Sequence, residues 1–176
     1  MNQSKLTLTT LKKHLKTRSP EELINDIAEL YKRFKPVKEY YQIQLSSGND
    51  AQIIEDYKKK IENEFFPSRG LGRAKLSVAK KAISDYKKVA ASPSSAIDLM
   101  LFYVEQGVKF TQAYGDIDEP FYYSMETTYA KAIAEMTKLG LKDNFRKRCH
   151  QVVLDTRGMG WGFHDMLQEI YEDAFE

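Results

Sequence analysis

One cysteine, three histidines and five prolines are all that 176 residues contain of those types, and glycine stands at nine. The lone Cys149 excludes an intramolecular disulfide and cannot by itself build a cysteine-based zinc site. Between Arg148 and His150 nearby positive charge favours a thiolate, although a free helical cysteine more often serves as a small buried hydrophobe. The histidines show no metal-ligand spacing, and neither His-Glu-x-x-His nor Gly-x-Ser-x-Gly occurs. Sparse glycine and proline, with no polar low-complexity tract, exclude wholesale disorder. No apolar run approaches the roughly 18 residues of a membrane span. Met1-Asn2-Gln3-Ser4-Lys5 lacks the apolar region of a signal peptide. The expectation is a cytoplasmic protein with no membrane partner.

What is present suits one globular domain. With 42% apolar and 30% charged residues, the chain reads as a single helical domain over 1–176, with 1–8 as a flexible N-terminal arm. A net charge of +2 diagnoses no partner, but the charge is segregated. The stretch from Arg69 to Lys88 is strongly basic, and every charge after His164 is acidic.

Two apolar helical runs, Ile97 onward and Phe121 to Met136, dominate the pattern, hinged on Gly115-Asp116-Ile117-Asp118-Glu119-Pro120. The first is apolar nearly all round, which predicts burial on several sides. Gly107 inside it costs about 1 kcal/mol relative to alanine, so close approach of a neighbouring helix is its expected justification.

The remaining helices follow their punctuation. Thr9 to Lys16 predicts a short helix with Leu11 and Leu15 on one side, after an ambiguous Leu6-Thr7-Leu8. Ser19-Pro20-Glu21-Glu22 is a capping box with proline at the first position, opening a helix with Leu23, Ile27, Leu30, Tyr31 and Phe34. Val37 to Leu45 predicts another, ended by Ser46-Ser47-Gly48-Asn49, and Asp50 is the expected cap of the next, which Pro67 closes. A glycine-bearing basic loop leads to a helix capped by Ser77. Asp143 to Arg157 predicts a helix burying Phe145, Cys149, Val152 and Val153. The last helix buries Phe163, Met166, Leu167, Ile170 and Tyr171 and exposes Glu169, Glu172 and Asp173. The fold class is all-α: eight or nine helices in antiparallel hairpins, as a multi-helix bundle or a short α-solenoid.

Three stretches hold candidate chemistry. Asp116, Asp118 and Glu119 offer oxygen ligands to a hard cation. The same residues also fit a cap: an aspartate N-cap, Glu119 favoured by the helix dipole and Pro120 in the first turn. The loop Gly158-Met159-Gly160-Trp161-Gly162 enters a helix beside His164, a candidate for proton transfer. Its spacing matches no phosphate-binding fingerprint, and alternating glycines equally suit a tight corner into which Trp161 folds. The third stretch is Arg69, Arg73, Lys75, Lys80, Lys81, Lys87 and Lys88, opposed by Asp85. Lys80 and Lys87, like Lys81 and Lys88, are seven apart and share a face, a cationic surface suited to a phosphate backbone.

Phe65-Phe66-Pro67-Ser68-Arg69-Gly70, Tyr114-Gly115-Asp116-Ile117-Asp118-Glu119-Pro120-Phe121-Tyr122 and Gly160-Trp161-Gly162-Phe163-His164-Asp165 lie in a chain that resembles a family of uncharacterised bacterial proteins over nearly its whole length. The resemblance implies a small cytoplasmic helical domain and carries no catalytic role with it.

With no complete catalytic constellation and no cofactor motif, the leading expectation is a non-enzymatic interaction or scaffold protein. Its partner would be another protein, contacted by the acidic final helix and surface aromatics. The alternatives are a nucleic-acid binder using Arg69 to Lys88, and a metal-dependent hydrolase built from Asp116, Asp118, Glu119 and His164 if the fold unites their loops.

Overall fold

A computed structural model describes residues 6–45 and 51–175. Among these are nine helices and no strand. They are α1 (Leu8–Leu15), α2 (Pro20–Arg33), α3 (Lys35–Leu45), α4 (Ala51–Phe65), α5 (Leu76–Lys87), α6 (Pro93–Tyr114), α7 (Glu119–Lys138), α8 (Lys142–Asp155) and α9 (Phe163–Phe175). The turn expected at Ser46 to Asn49 and the cap expected at Asp50 lie outside the described residues. No helix described is long and apolar enough to cross a membrane.

Helix α6 is the axis of the packing. Its all-round apolar sequence buries Ile97, Leu101, Val104 and Val108 together with Leu99, Met100 and Tyr103 on other sides. It touches α4, α5, α7 and α8. These four neighbours lie one or two elements away in the chain, so the helices pack in sequence order around α6.

Helix α7 lies antiparallel to α6. Tyr103 bonds Ser124 at 2.8 Å between their hydroxyls, Gly107 faces Met125, and Phe110 packs on Phe121 at 6.0 Å between ring centroids. A Cβ at position 107 would stand 2.3 Å from the Met125 sulfur, so the glycine is there for close helix approach. Helices α4 and α5 form a second hairpin, with Tyr57 against Tyr86. In the third, α8 and α9, His150 packs on Tyr171 and the Lys142 ammonium donates to the Ala174 carbonyl.

Local chemistry sets the boundaries. Ser19 accepts from Glu22 N while Glu22 accepts from Ser19 N, completing the expected capping box of α2. Thr7, in the ambiguous stretch, caps α1, so Leu8 belongs to a helix. Phe34 alone separates α2 from α3: its carbonyl accepts from Val37 and Lys38, and α3 therefore begins at Lys35, ahead of the expected Val37. Ser77 is not the cap of α5. Arg73 N and Ala74 N both donate to the Glu64 carbonyl, Ala74 turns at φ 42°, and the chain is already helical from Leu76. On α9, Phe163, Leu167 and Tyr171 are buried as expected, but Met166 is exposed.

The first helices depart from the bundle. None of the residues of α1 or α2 is buried. Helix α3 is anchored: Ile43 is buried, and buried Glu39 accepts the Tyr57 hydroxyl at 2.8 Å. Burial and then that carboxylate hold the Tyr57 pKa above its ordinary value.

Candidate functional site

The stretches 65–70, 114–122 and 160–165 meet at one end of the bundle. Phe65 packs against Phe121 and Phe66 stacks on Tyr114. Tyr122 packs on Phe163 at 4.8 Å between ring centroids. The two loops whose meeting the hydrolase reading required are joined by Asp116, whose Oδ1 accepts the Tyr122 hydroxyl at 2.7 Å and the Gly160 amide at 3.1 Å. A Cβ on Gly160 would stand 2.5 Å from Asp116 Oδ2. The tyrosine hydroxyl, then the Gly160 amide, hold the Asp116 carboxyl below its ordinary range because both donate to its charged form.

The other members of this cluster have structural partners. Asp118 is the N-cap of α7, accepting from Phe121 N at 2.9 Å, with Glu119 and Pro120 in the first turn. His164 Nδ1 lies 2.9 Å from Thr156 Oγ1 and 3.2 Å from the Val153 carbonyl. The Thr156 hydroxyl already donates to Val153 O, so the ring proton belongs on Nδ1 and Nε2 is the acceptor. Among the described residues no three His, Cys, Asp or Glu side chains are grouped to hold a metal ion. Trp161 does not fold into a corner. It adopts φ 61° between two glycines and is 60% exposed.

The basic stretch divides by environment. Arg69, Arg73 and Lys75 are exposed on a loop fixed by Glu64 O and by Gly72 wedged against Phe65, and they form no ion pair among the described residues. Lys81 and Lys88 bracket Asp85 at 2.6 and 2.9 Å, and Lys87 bonds Glu135 at 2.5 Å. Lys80, Lys87 and Lys131 border a groove of about 260 Å³ between α5 and α7. The seven-residue spacing thus yields two faces, one neutralised by Asp85 and one turned toward α7.

Two features, Arg148 and Glu126, escaped sequence reasoning, while Cys149 is buried as expected. Arg148 reaches Glu105 at 2.5 and 2.9 Å and also Asp98, to which Lys58 adds a contact at 3.0 Å, tying α4, α6 and α8 together. These partners are forty or more residues apart in the chain, beyond any periodicity argument. Burial of Cys149 pushes its pKa up to about 12 against the opposing effect of Arg148, so the adjacent cation does not make a thiolate. Glu126 is half-buried, and desolvation raises its pKa; its place between Tyr122 and Tyr129 on one helix face was the available signal.

The largest feature is the outward face of the first helices. Ten of the seventeen large apolar side chains exposed among the described residues lie within 6–45. On α2, Ile24 is 65% exposed and Ile27, Leu30 and Tyr31 follow it, with Phe34 just past the helix 52% exposed. A groove of about 540 Å³ continues this surface past Tyr31, lined by Tyr41, Leu45 and Ile53.

Neither the curated proteins nor the solved structures searched contain a match to this chain. The sequence pattern of a family of unknown function, DUF6155, matches residues 6–176, and the chain belongs to that family.

Proposed function

We propose that this protein is a helical interaction module whose docking surface is the apolar face of α2 and the groove beside Tyr31. One observation carries the reading: a 14-residue helix with a full amphipathic stripe buries none of its residues. An isolated helix of that length is marginal in water, and its stability in proteins comes from packing an apolar face. Contiguous exposed apolar surface of this kind marks association sites. The acidic final helix, the surface favoured by sequence, spends Phe163, Leu167, Tyr171 and Phe175 on the bundle, so Met166 is its one exposed large apolar residue among the described residues. The test is a photo-crosslinking side chain at Tyr31, with one at exposed Tyr123 on α7 as control. A protein adduct from position 31 and none from 123 is expected. No adduct from position 31 overturns the reading.

A second reading, electrostatic binding of nucleic acid, is favoured by Arg69, Arg73 and Lys75, which are exposed and form no ion pair among the described residues. Labelled duplex DNA and single-stranded RNA titrated over a salt series would show affinity falling steeply with salt. That affinity would be lost on replacing Arg69, Arg73, Lys80 and Lys87 by neutral residues. Absence of binding at low salt would reject it.

A further inference from the structure

We infer that the groove between α5 and α7 binds a small phosphate monoester with an apolar body, at a site separate from the α2 surface. The floor of the groove is Ile83 of α5, Met100 of α6 and Thr128 of α7, all buried. Its rim is Lys80 and Lys87 on one side, with Ser84 beside them, and Lys131 on the other. Lys80, Ser84 and Lys87 follow one another at spacings of four and three, so a single face of α5 carries them all.

The charges at the rim do not cancel. Lys87 is held 2.5 Å from Glu135 of α7. Lys80 and Lys131 are exposed and form no ion pair among the described residues. Three ammoniums against one carboxylate leave an excess of two positive charges above an apolar floor. A phosphate monoester carries about −1.5 to −2 at pH 7, which matches that excess. A carboxylate or a phosphodiester carries a single charge and leaves half of it unmatched. Lysine suits this ligand, because an ammonium binds phosphate as a point charge and needs no fixed fork geometry.

The floor selects the rest of the molecule. The Thr128 hydroxyl already donates to the Ser124 carbonyl at 2.8 Å, so the floor offers Ile83 and Met100 to carbon and no free donor to oxygen. At about 260 Å³ the groove is smaller than the roughly 300 to 1,000 Å³ of pockets for drug-sized ligands. A short chain or a single ring fits it, and a polymer does not.

The test titrates the full chain, with labelled isoleucine and methionine methyl groups, with hexyl phosphate and follows it by NMR. Saturable shifts at the Ile83 and Met100 methyls are expected. Hexyl sulfate has the same chain and one charge, and should bind about fivefold more weakly or worse. Inorganic phosphate lacks the apolar body and should bind about tenfold more weakly or worse. Lys80→Gln with Lys131→Gln should weaken hexyl phosphate about tenfold or more with unchanged circular dichroism, since both side chains are exposed. Arg69→Gln with Arg73→Gln removes the same charge from the basic loop and should leave this affinity unchanged, which separates the groove from the nucleic-acid reading. Absence of saturable shifts at those methyls overturns the inference, as does equal affinity for either control ligand. Equal loss in the two double variants also overturns it, because net charge would then account for the binding.

Discussion

The carbonyl oxygen of Phe65 occupies the place where a side chain on Gly72 would begin: a Cβ there would stand 1.7 Å from it. The obstacle is backbone, and Phe65 is fully buried against Tyr103, Phe110 and Phe121. Gly72→Ala should therefore displace the loop bearing Arg69, Arg73 and Lys75 and cost about 1 to 3 kcal/mol. For a chain of this size that is a fall in Tm of several degrees. An unchanged Tm would mean that the loop does not press on α4.

Arg148 is the shared cation of Asp98 and Glu105, and its side chain is 28% exposed. Arg148→Met removes the charge, leaving Glu105 without that cation and Asp98 with Lys58. Partial solvent screening brings the cost of breaking such a pair to about 2 kcal/mol, read from urea unfolding. Glu105→Gln, which keeps the Asp98 contact, should cost less. Equal effects would show that Asp98 contributes nothing.

Asp116 supplies a pH test with a definite sign. Its folded pKa lies below the ordinary value of 3.8, so its contribution is present above that value and is lost as pH falls through the lower folded pKa. Asp116→Asn should lower Tm near neutrality, and the gap to the unaltered chain should close as pH drops below 4. A gap independent of pH would mean that loop geometry, not carboxylate charge, holds the junction.

Cys149 should resist thiol reagents in the folded chain at mildly alkaline pH and react at once in denaturant. Its pKa, raised to about 12 by burial, favours the neutral thiol. That contribution is complete below the unfolded value near 8.5 and is lost as pH rises above it. Rapid labelling of native protein would show α8 opening.

The centre of the fold was legible because α6 and α7 combine strong periodicity with an aspartate and proline start for α7, where Asp118 is the cap, and Gly107 announced a close neighbour. Ser77 misled because the real stop is the pair of amides on Glu64 O, a contact between residues nine and ten apart that no cap motif encodes. The three motifs were visible singly, but their meeting depends on Asp116 reaching Gly160 across 44 positions. Periodicity identified the α2 stripe correctly. It could not tell burial within the chain from burial against something else, because both demand the same apolar face.

The unburied α2 also divides the molecule energetically. Amides in α6 can exchange with solvent only when the bundle opens, whereas those of α2 in the free chain need only the fraying of one helix. The amino-terminal arm is thus a cooperative unit of its own, and slow exchange there would signal that its apolar face is occupied.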